Sequence, residues 1–222
     1  MFLGAPTGEI EGKILHSAGL QIARPQFATP IFLPTSLLLS IFRLDYLYIM
    51  SYNIHINFLE IFMKAGVIVC SDRSFYGERE DKSGPVICDF LSNRGFDVEY
   101  KVVPDDKDTI KEAIVSMVDD GAVLVLTSGG TGLAPRDVTP EATLEVIDKQ
   151  VPGIAEAIRY ESLKYTKNAM LSRGVSGVRG QSLIVNLAGS PKAASESLEI
   201  IEKPLLHAID LVRGEVKDCG RN

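Results

Sequence analysis

From residue 63 onward, short unbroken apolar runs alternate with stretches of helical period. AGVIVCS (Ala65 to Ser71) and AVLVLT (Ala122 to Thr127) carry almost no polar side chain. A strand with two apolar faces must be covered on both. That happens when helices flank a mostly parallel sheet. Between these runs, Ile110, Ala113, Ile114, Met117 and Val118 recur at i, i+3, i+4, i+7 and i+8, one apolar face of a helix. Strand runs alternating with helix runs predict an α/β fold built on a mostly parallel sheet.

The punctuation between the runs places further elements. In DKSGPVICDFLSNRG, Ser83 suits an N-cap, Pro85 a first turn and Gly95 a stop. FDVEYKVVPD alternates apolar and polar, as a strand with one more polar face does. Asp106 or Asp108 would cap the helix that carries Ile110. Thr139 is expected to cap, and Pro140 to start, a helix running through about Ile147; PGIAEAIRYESL reads as another. GVSGVRGQSLIVNLAGSP reads as two short strands around Arg179-Gly180. A long helix is expected from about Pro191 to Gly214, with Pro204 kinking or breaking it, because proline removes an i−4 hydrogen bond and clashes with the preceding turn.

Residues 1–62 are of a different kind. They hold seven charged side chains, against 45 in the remaining 160 residues. IFLPTSLLLSIFRLDYLYIM (Ile31 to Met50) is apolar, but Arg43 and Asp45 interrupt it and Pro34 stands near its start, so it is a poor membrane span. Thirty mixed residues precede it, which does not fit a signal peptide. FMKAGVIVCSDR looks like a natural beginning. The first 62 residues therefore read as a leader of unknown role, disordered or belonging to an over-extended reading frame, and 63–222 as the working domain.

The 222 residues carry a net charge of −6. That balance argues against a general nucleic-acid binder. Cys70, Cys88 and Cys219 show no ligand-like spacing, and the three histidines are scattered. This pattern fits reduced thiols in a cytoplasmic compartment and no structural zinc.

In an open parallel sheet, ligands bind beyond the carboxyl ends of the strands. The residues there are Ser71, Asp72 and Arg73; Pro104, Asp105 and Asp106; Thr127 to Gly132; and Ala188 to Lys192. TSGGTG, within LTSGGTGLAPRDVTPEAT, is the most informative. Adjacent glycines permit positive φ and close approach of a ligand to the backbone. Successive N–H groups then form an anion-binding nest, and Ser128 and Thr131 add hydroxyls. The loop fits a phosphate or pterin cradle; it also fits a bare strand-to-helix turn. It is not a Walker loop, because neither Lys-Ser nor Lys-Thr follows the last glycine, and Pro135 stands where a GxGxxG motif needs its third.

Each aspartate on this rim also has a structural reading. Asp105, Asp106 or Asp108 could cap the next helix, Asp137 the turn before Thr139, and Asp72 could pair with Arg73 or Arg79. Gathered on one rim, they would suit Mg²⁺ bridging phosphates, since Mg²⁺ takes hard oxygen ligands. Lys82, Arg136 and Lys192 could offset phosphate charge.

TSGGTGLAPRDVTPEAT, with VCSDRSFYGEREDKSGP, VPDD, MLSRGVSGVRGQSLIVNLAGSPK and LLHAIDLVRG, closely resembles the molybdopterin adenylyltransferases, a group that includes the gephyrin G domain. The resemblance covers Lys64 to about Gly214. It implies a three-layer αβα domain of the molybdopterin-binding fold, assembled as a homotrimer. It implies a Mg-ATP-dependent reaction in which molybdopterin becomes adenylyl-molybdopterin with release of pyrophosphate. Asp105 and Asp137 match the family's two essential aspartates and would serve catalysis and Mg²⁺ binding. Substrate would meet Ser71, Asp72, Ser83, Gly84, Thr127, Ser128, Gly129, Gly130, Thr131, Gly132, Gly189, Ser190, Pro191 and Lys192. Ser128 stands where the family usually has Thr, and Ala188 where it usually has Pro. A downstream molybdenum-insertion enzyme is the expected partner; nucleic acid and membrane are not. The competing reading is a molybdopterin carrier or scaffold without efficient AMP transfer.

Overall fold

A computed structural model of the chain describes residues 63–214. The leader, its apolar stretch and Cys219 lie outside them. Among the described residues, no helix is long and apolar enough to cross a membrane.

The elements follow the predicted alternation. Strand β1 (Met63–Cys70) leads through a single turn, α1 (Asp72–Phe75), to α2 (Ser83–Ser92), β2 (Phe96–Val103), α3 (Lys107–Asp119) and β3 (Leu124–Ser128). Then come α4 (Thr139–Val146), the two-residue β4 (Lys149–Gln150), α5 (Pro152–Ser162), a 3₁₀ turn (Lys167–Leu171), β5 (Ser176–Arg179), β6 (Ser182–Leu187) and α6 (Pro191–Arg213). The six strands form one sheet in the order β2-β1-β3-β6-β5-β4. The first four are mutually parallel; β5 runs antiparallel to both β6 and β4.

Side-chain alternation explains the layers. In β1, Ala65 and Val67 face one side, and Ile68 and Cys70 the other; Leu124 and Leu126 oppose Val125 in β3. Leu183, Val185 and Leu187 likewise oppose Ile184 in β6. The first face packs under Ile87 and Leu91 of α2, Ile154 of α5 and Leu198, Ile201, Leu205 and Ile209 of α6. The second packs under Ile110, Ala113, Ile114 and Met117 of α3 and Ala142 and Val146 of α4. Helix, sheet and helix thus form three layers, as expected. β2 is the sheet edge, which accounts for its polar alternation: the residues between Phe96 and Val103 are all at least partly exposed, while those two anchor its ends in the core.

Three details depart from the sequence reading. Ser83 is not a cap but the buried first residue of α2; Asp81 accepts from Ser83 N–H at 3.0 Å and Gly84 N–H at 2.8 Å and caps in its place. Thr139 is likewise inside α4, at its start, with its hydroxyl buried beside Gly130 and the Cys70 thiol. Helix α6 runs through Pro204 unbroken to the left-handed Gly214. One lost backbone bond is outweighed there by the continuous apolar face of Leu198, Ile201, Leu205 and Ile209 against the core.

Candidate active site at the strand switch point

After β1 the chain crosses to β2 on one side; after β2 it returns past β1 to β3 on the other. The helices that follow β1 and β3 accordingly lie on opposite faces, α2 on one and α4 on the other. Their loops diverge and leave a crevice between them, the place where parallel sheets bind ligands. A cleft of about 530 Å³ occupies it, lined from β1 by Cys70 and Ser71, from β2 by Asp105, from β3 by Ser128 to Gly132 with Asp137, and from β6 by Gly189 and Ser190. All four strand-end loops singled out in the sequence contribute to it.

The Gly-rich loop is built around close backbone approach. Gly129 has φ +99°, and a Cβ there would lie 2.4 Å from the Cys70 carbonyl oxygen. Gly130 has φ +61°, and a Cβ would lie 2.3 Å from Thr139 Oγ1. No other residue type fits either position without displacing its neighbours. Gly129 N–H donates to Leu187 O, and Thr139 N–H donates to Gly130 O, so both ends of the turn are tied to the scaffold.

Asp72 and Asp105 are locked together. Asp72 N–H donates to Asp105 Oδ2 and Asp105 N–H to Asp72 Oδ1, each at 2.9 Å. Asp72 pairs with neither Arg73 nor Arg79. Its partner is Arg136, whose Nε and Nη2 reach it at 3.0 and 2.8 Å. Hydrogen bonding from Arg136 holds the Asp72 carboxyl below its ordinary value. Burial pushes Asp105 above its own, with the charges of Asp72 and Asp137 adding to the rise and the Asp72 N–H and Arg136 opposing it. Asp106 is the N-cap of α3, accepting from Thr109 N–H at 2.9 Å.

Asp137 closes its own turn: Oδ2 accepts from Ala134 N–H at 2.7 Å. Among the described hydrogen bonds, Oδ1 of Asp105 and Oδ1 of Asp137 remain uncommitted. Asp105 and Asp137 both line the cleft, and carboxylate oxygens of this kind suit Mg²⁺ carried in on substrate phosphates. They do not make an all-protein cage, and no group of three or more acidic, His or Cys side chains among the described residues does so.

Several expected residues stand elsewhere. Thr127 is fully buried behind the loop, where its hydroxyl accepts from Asn186 Nδ2 at 2.9 Å. Lys192 is outside the cleft lining, with its side chain 86% exposed and 3.8 Å from Glu196. Pro191 borders a neighbouring groove with Arg79 and Lys82. Ser190 lines the cleft and caps α6 through Ala193 N–H. Ser83 lines the cleft, where Ser128 Oγ donates to its Oγ at 3.0 Å and its Oγ donates to Asp81 Oδ1 at 2.9 Å; Gly84 lies outside the lining, its N–H donating to Asp81 Oδ2 at 2.8 Å.

Asp81, Arg73 and Arg79 also line the cleft and are not among the substrate-contacting residues expected from the sequence. Burial works against the charge on Asp81, but bonds from Tyr100, Ser83 and Gly84 outweigh it and hold the carboxyl below its ordinary value. The signal available was position alone: Asp81 stands one residue ahead of the N-cap Lys82, close enough for its carboxylate to accept from the free N–H groups of the first turn. Arg79 Nη2 donates to Ser71 Oγ at 3.3 Å.

A glycine turn, paired carboxylates and arginines at a parallel-sheet switch point define an α/β protein built to hold a phosphorylated ligand. The model of the probable molybdopterin binding domain matches residues 66–208, and the chain belongs to that family. It is 42% identical over 153 residues to a molybdopterin adenylyltransferase of Helicobacter pylori, a match covering 67% of this chain and 87% of that one. It is 41% identical over 141 residues to the molybdopterin adenylyltransferase of Escherichia coli, covering 62% and 72%. The crystal structure of the molybdopterin biosynthesis enzyme MoaB from Thermus thermophilus superimposes with a TM-score of 0.65 at 49% identity, covering 68% of this chain and 97% of that one.

Proposed function

We propose that this protein is a molybdopterin adenylyltransferase acting in molybdenum cofactor biosynthesis, transferring AMP from Mg-ATP to molybdopterin in the cytoplasm. The observation that carries the reading is the meeting of Asp105, Asp137 and the Gly129–Gly130 turn around one cleft of about 530 Å³. Relatives named for this activity, matched over 72% and 87% of their length, support it. Assembly as a homotrimer and hand-over to a molybdenum-insertion enzyme belong to the same proposal.

The terminal phosphate oxygen of molybdopterin attacks the α-phosphorus of ATP. One P–O bond forms, the bond from the α-phosphorus to the bridging oxygen breaks, and pyrophosphate leaves with that oxygen. The nucleophile is already an anion near neutral pH, so no general base is required. The barrier lies in bringing two anions together in line, and catalysis of this type is positioning and charge screening. Backbone N–H groups of the Gly129–Gly132 turn would hold phosphate oxygens. Arg73 and Arg79 would supply positive charge on the side facing Asp81. Asp105 and Asp137 would hold Mg²⁺, which screens the phosphates when bound. The reciprocal bonds with Asp72 fix the Asp105 carboxylate so that it does not reorganise during the reaction.

The test is direct. The purified protein, incubated with molybdopterin and Mg-ATP, should release pyrophosphate in step with adenylyl-molybdopterin. Tight molybdopterin binding without pyrophosphate would identify a carrier instead.

A further inference from the structure

Arg173 lies outside all four strand-end loops, just before β5, yet it grips the longest of them. Its backbone N–H donates to Thr131 O at 2.9 Å. Its Nε donates to Gly132 O at 2.7 Å, and its Nη2 to Asp137 O at 2.5 Å. The remaining Nη1 pairs with Glu141 in the first turn of α4. One guanidinium therefore ties together the place where the chain leaves the glycine turn and the place where it re-enters the scaffold.

The residues between those two points have little else to hold them. Leu133 is 64% exposed, and Ala134, Pro135 and Arg136 are exposed as well. Within the loop, the Ala134–Asp137 turn closes on itself, through Asp137 N–H to Ala134 O and Ala134 N–H to the Asp137 carboxylate. Such a turn is internally rigid but free to swing as a unit. Its ties to the rest of the domain are the exposed Arg136–Asp72 pair, the Thr139 N–H bond to Gly130 O, and Arg173. Among the described residues, Arg173 alone bonds the backbone of Asp137 from outside the loop, and its planar fork fixes direction as well as distance.

We infer that Arg173 is a positioning residue for adenylyl transfer, which sets the Asp137 carboxylate against the glycine turn by clamping Gly132 O and Asp137 O to one guanidinium. The inference rests on the proposed activity and deepens it. Arg173 touches no substrate in this scheme; its effect passes through Asp137.

Two measurements on the full chain test it. Arg173→Lys keeps the charge and the partner Glu141 but loses the fork. Misplacement of a catalytic group by about 1 Å costs on the order of a hundredfold, so kcat for pyrophosphate release should fall by about 10- to 100-fold, with both KM values changing far less. Because the effect runs through Asp137, the Arg173→Lys, Asp137→Asn double variant should be no slower than Asp137→Asn alone. Hydrogen exchange, which needs no activity, should quicken at residues 132–138 while β1 and β6 stay protected. Unchanged exchange in that loop overturns the clamp. A loosened loop with unchanged kcat, or with losses that multiply in the double variant, overturns the positioning role. A wild-type protein that releases no pyrophosphate sinks the activity reading by itself, and the exchange measurement still decides the clamp.

Discussion

Asp72 and Asp105 each accept the other's backbone N–H at 2.9 Å, so the ends of β1 and β2 are joined by a symmetrical pair of bonds. Two carboxylates this close would repel. The fold tolerates them because Arg136 neutralises Asp72, while Asp105 absorbs the cost as a raised pKa caused first by burial. The sign of the stability effect follows. A carboxyl with a raised folded value contributes stability that is fully present below its unfolded value and lost as pH rises through the folded one. At about pH 7 the ionised Asp105 thus works against folding. Asp105→Asn removes that charge, and its amide oxygen can still accept the Asp72 N–H. The variant should melt higher than wild type at about pH 7, with the gain vanishing toward about pH 3, where the wild-type group is protonated. Its kcat should fall about 100-fold or more, the usual cost of removing a preorganised electrostatic group. Paired melting curves at the two pH values and a pyrophosphate assay check both halves.

Gly129 is held by geometry on two sides. Its φ is +99°, a Cβ would meet the Cys70 carbonyl oxygen at 2.4 Å, and Gly189 presses on it so closely that its own Cβ would sit 3.0 Å from Gly129 Cα. Gly129→Ala should destabilise the fold by about 1–3 kcal/mol from backbone strain alone. Displacement of β1 or of the Gly189 turn adds to that. Urea denaturation measures the loss. Weaker ATP binding in the surviving folded fraction is expected, because the turn can no longer present its N–H groups in the same direction.

The layers were legible because the apolar runs of β1 and β3 have no polar face, and only a doubly covered sheet accommodates that. The rim was legible for a related reason: once the strands are parallel, their carboxyl ends must converge, so Asp105 and Gly129 could be paired without coordinates. What could not be read were relationships set by tertiary distance. Nothing local distinguishes Arg136 from Arg73 or Arg79 as the partner of Asp72; that choice depends on how the loop after β3 folds back over β1. Arg173 is 36 residues from Asp137 and reaches it only because the 3₁₀ turn and β5 bring the chain back across the sheet. Thr127 shows the converse limit. Its place in the signature suggested ligand contact, but strand alternation turns its hydroxyl inward to Asn186. Pro204 failed as a helix breaker because packing of the surrounding face overrode local propensity.

Asn186 stabilises the site from beneath. Its Nδ2 donates to Thr127 Oγ1 at 2.9 Å and Thr143 Oγ1 at 2.8 Å, and its Oδ1 accepts from Val175 N–H at 3.2 Å. These bonds join β3, α4 and the chain entering β5, and the residue is 3% exposed. Asn186→Ala leaves buried donors and acceptors without partners, a loss of about 1–3 kcal/mol for each group that water cannot reach. The expected outcome is a clear drop in denaturation midpoint. A crystal structure of the variant with an ordered water bridging Thr127 and Thr143 would account for a smaller one.

Cys70 ends β1 with its carbonyl against Gly129 and its side chain 3% exposed. Burial pushes its thiol up to about 12, with the charge of Asp105 adding to the rise and Thr139 opposing it. The thiolate is the reactive form, so at about pH 8 an unperturbed thiol near 8.5 would be substantially ionised, whereas Cys70 is not. Iodoacetamide should leave Cys70 unmodified in the folded protein over hours and label it promptly in urea, with peptide mass spectrometry reading each cysteine separately. Because burial is what protects it, any change that loosens the glycine turn should expose it. Gly129→Ala and Arg173→Lys are predicted to differ here. The first displaces the Cys70 carbonyl directly and should speed labelling; the second loosens only residues 132–138 and should leave it slow.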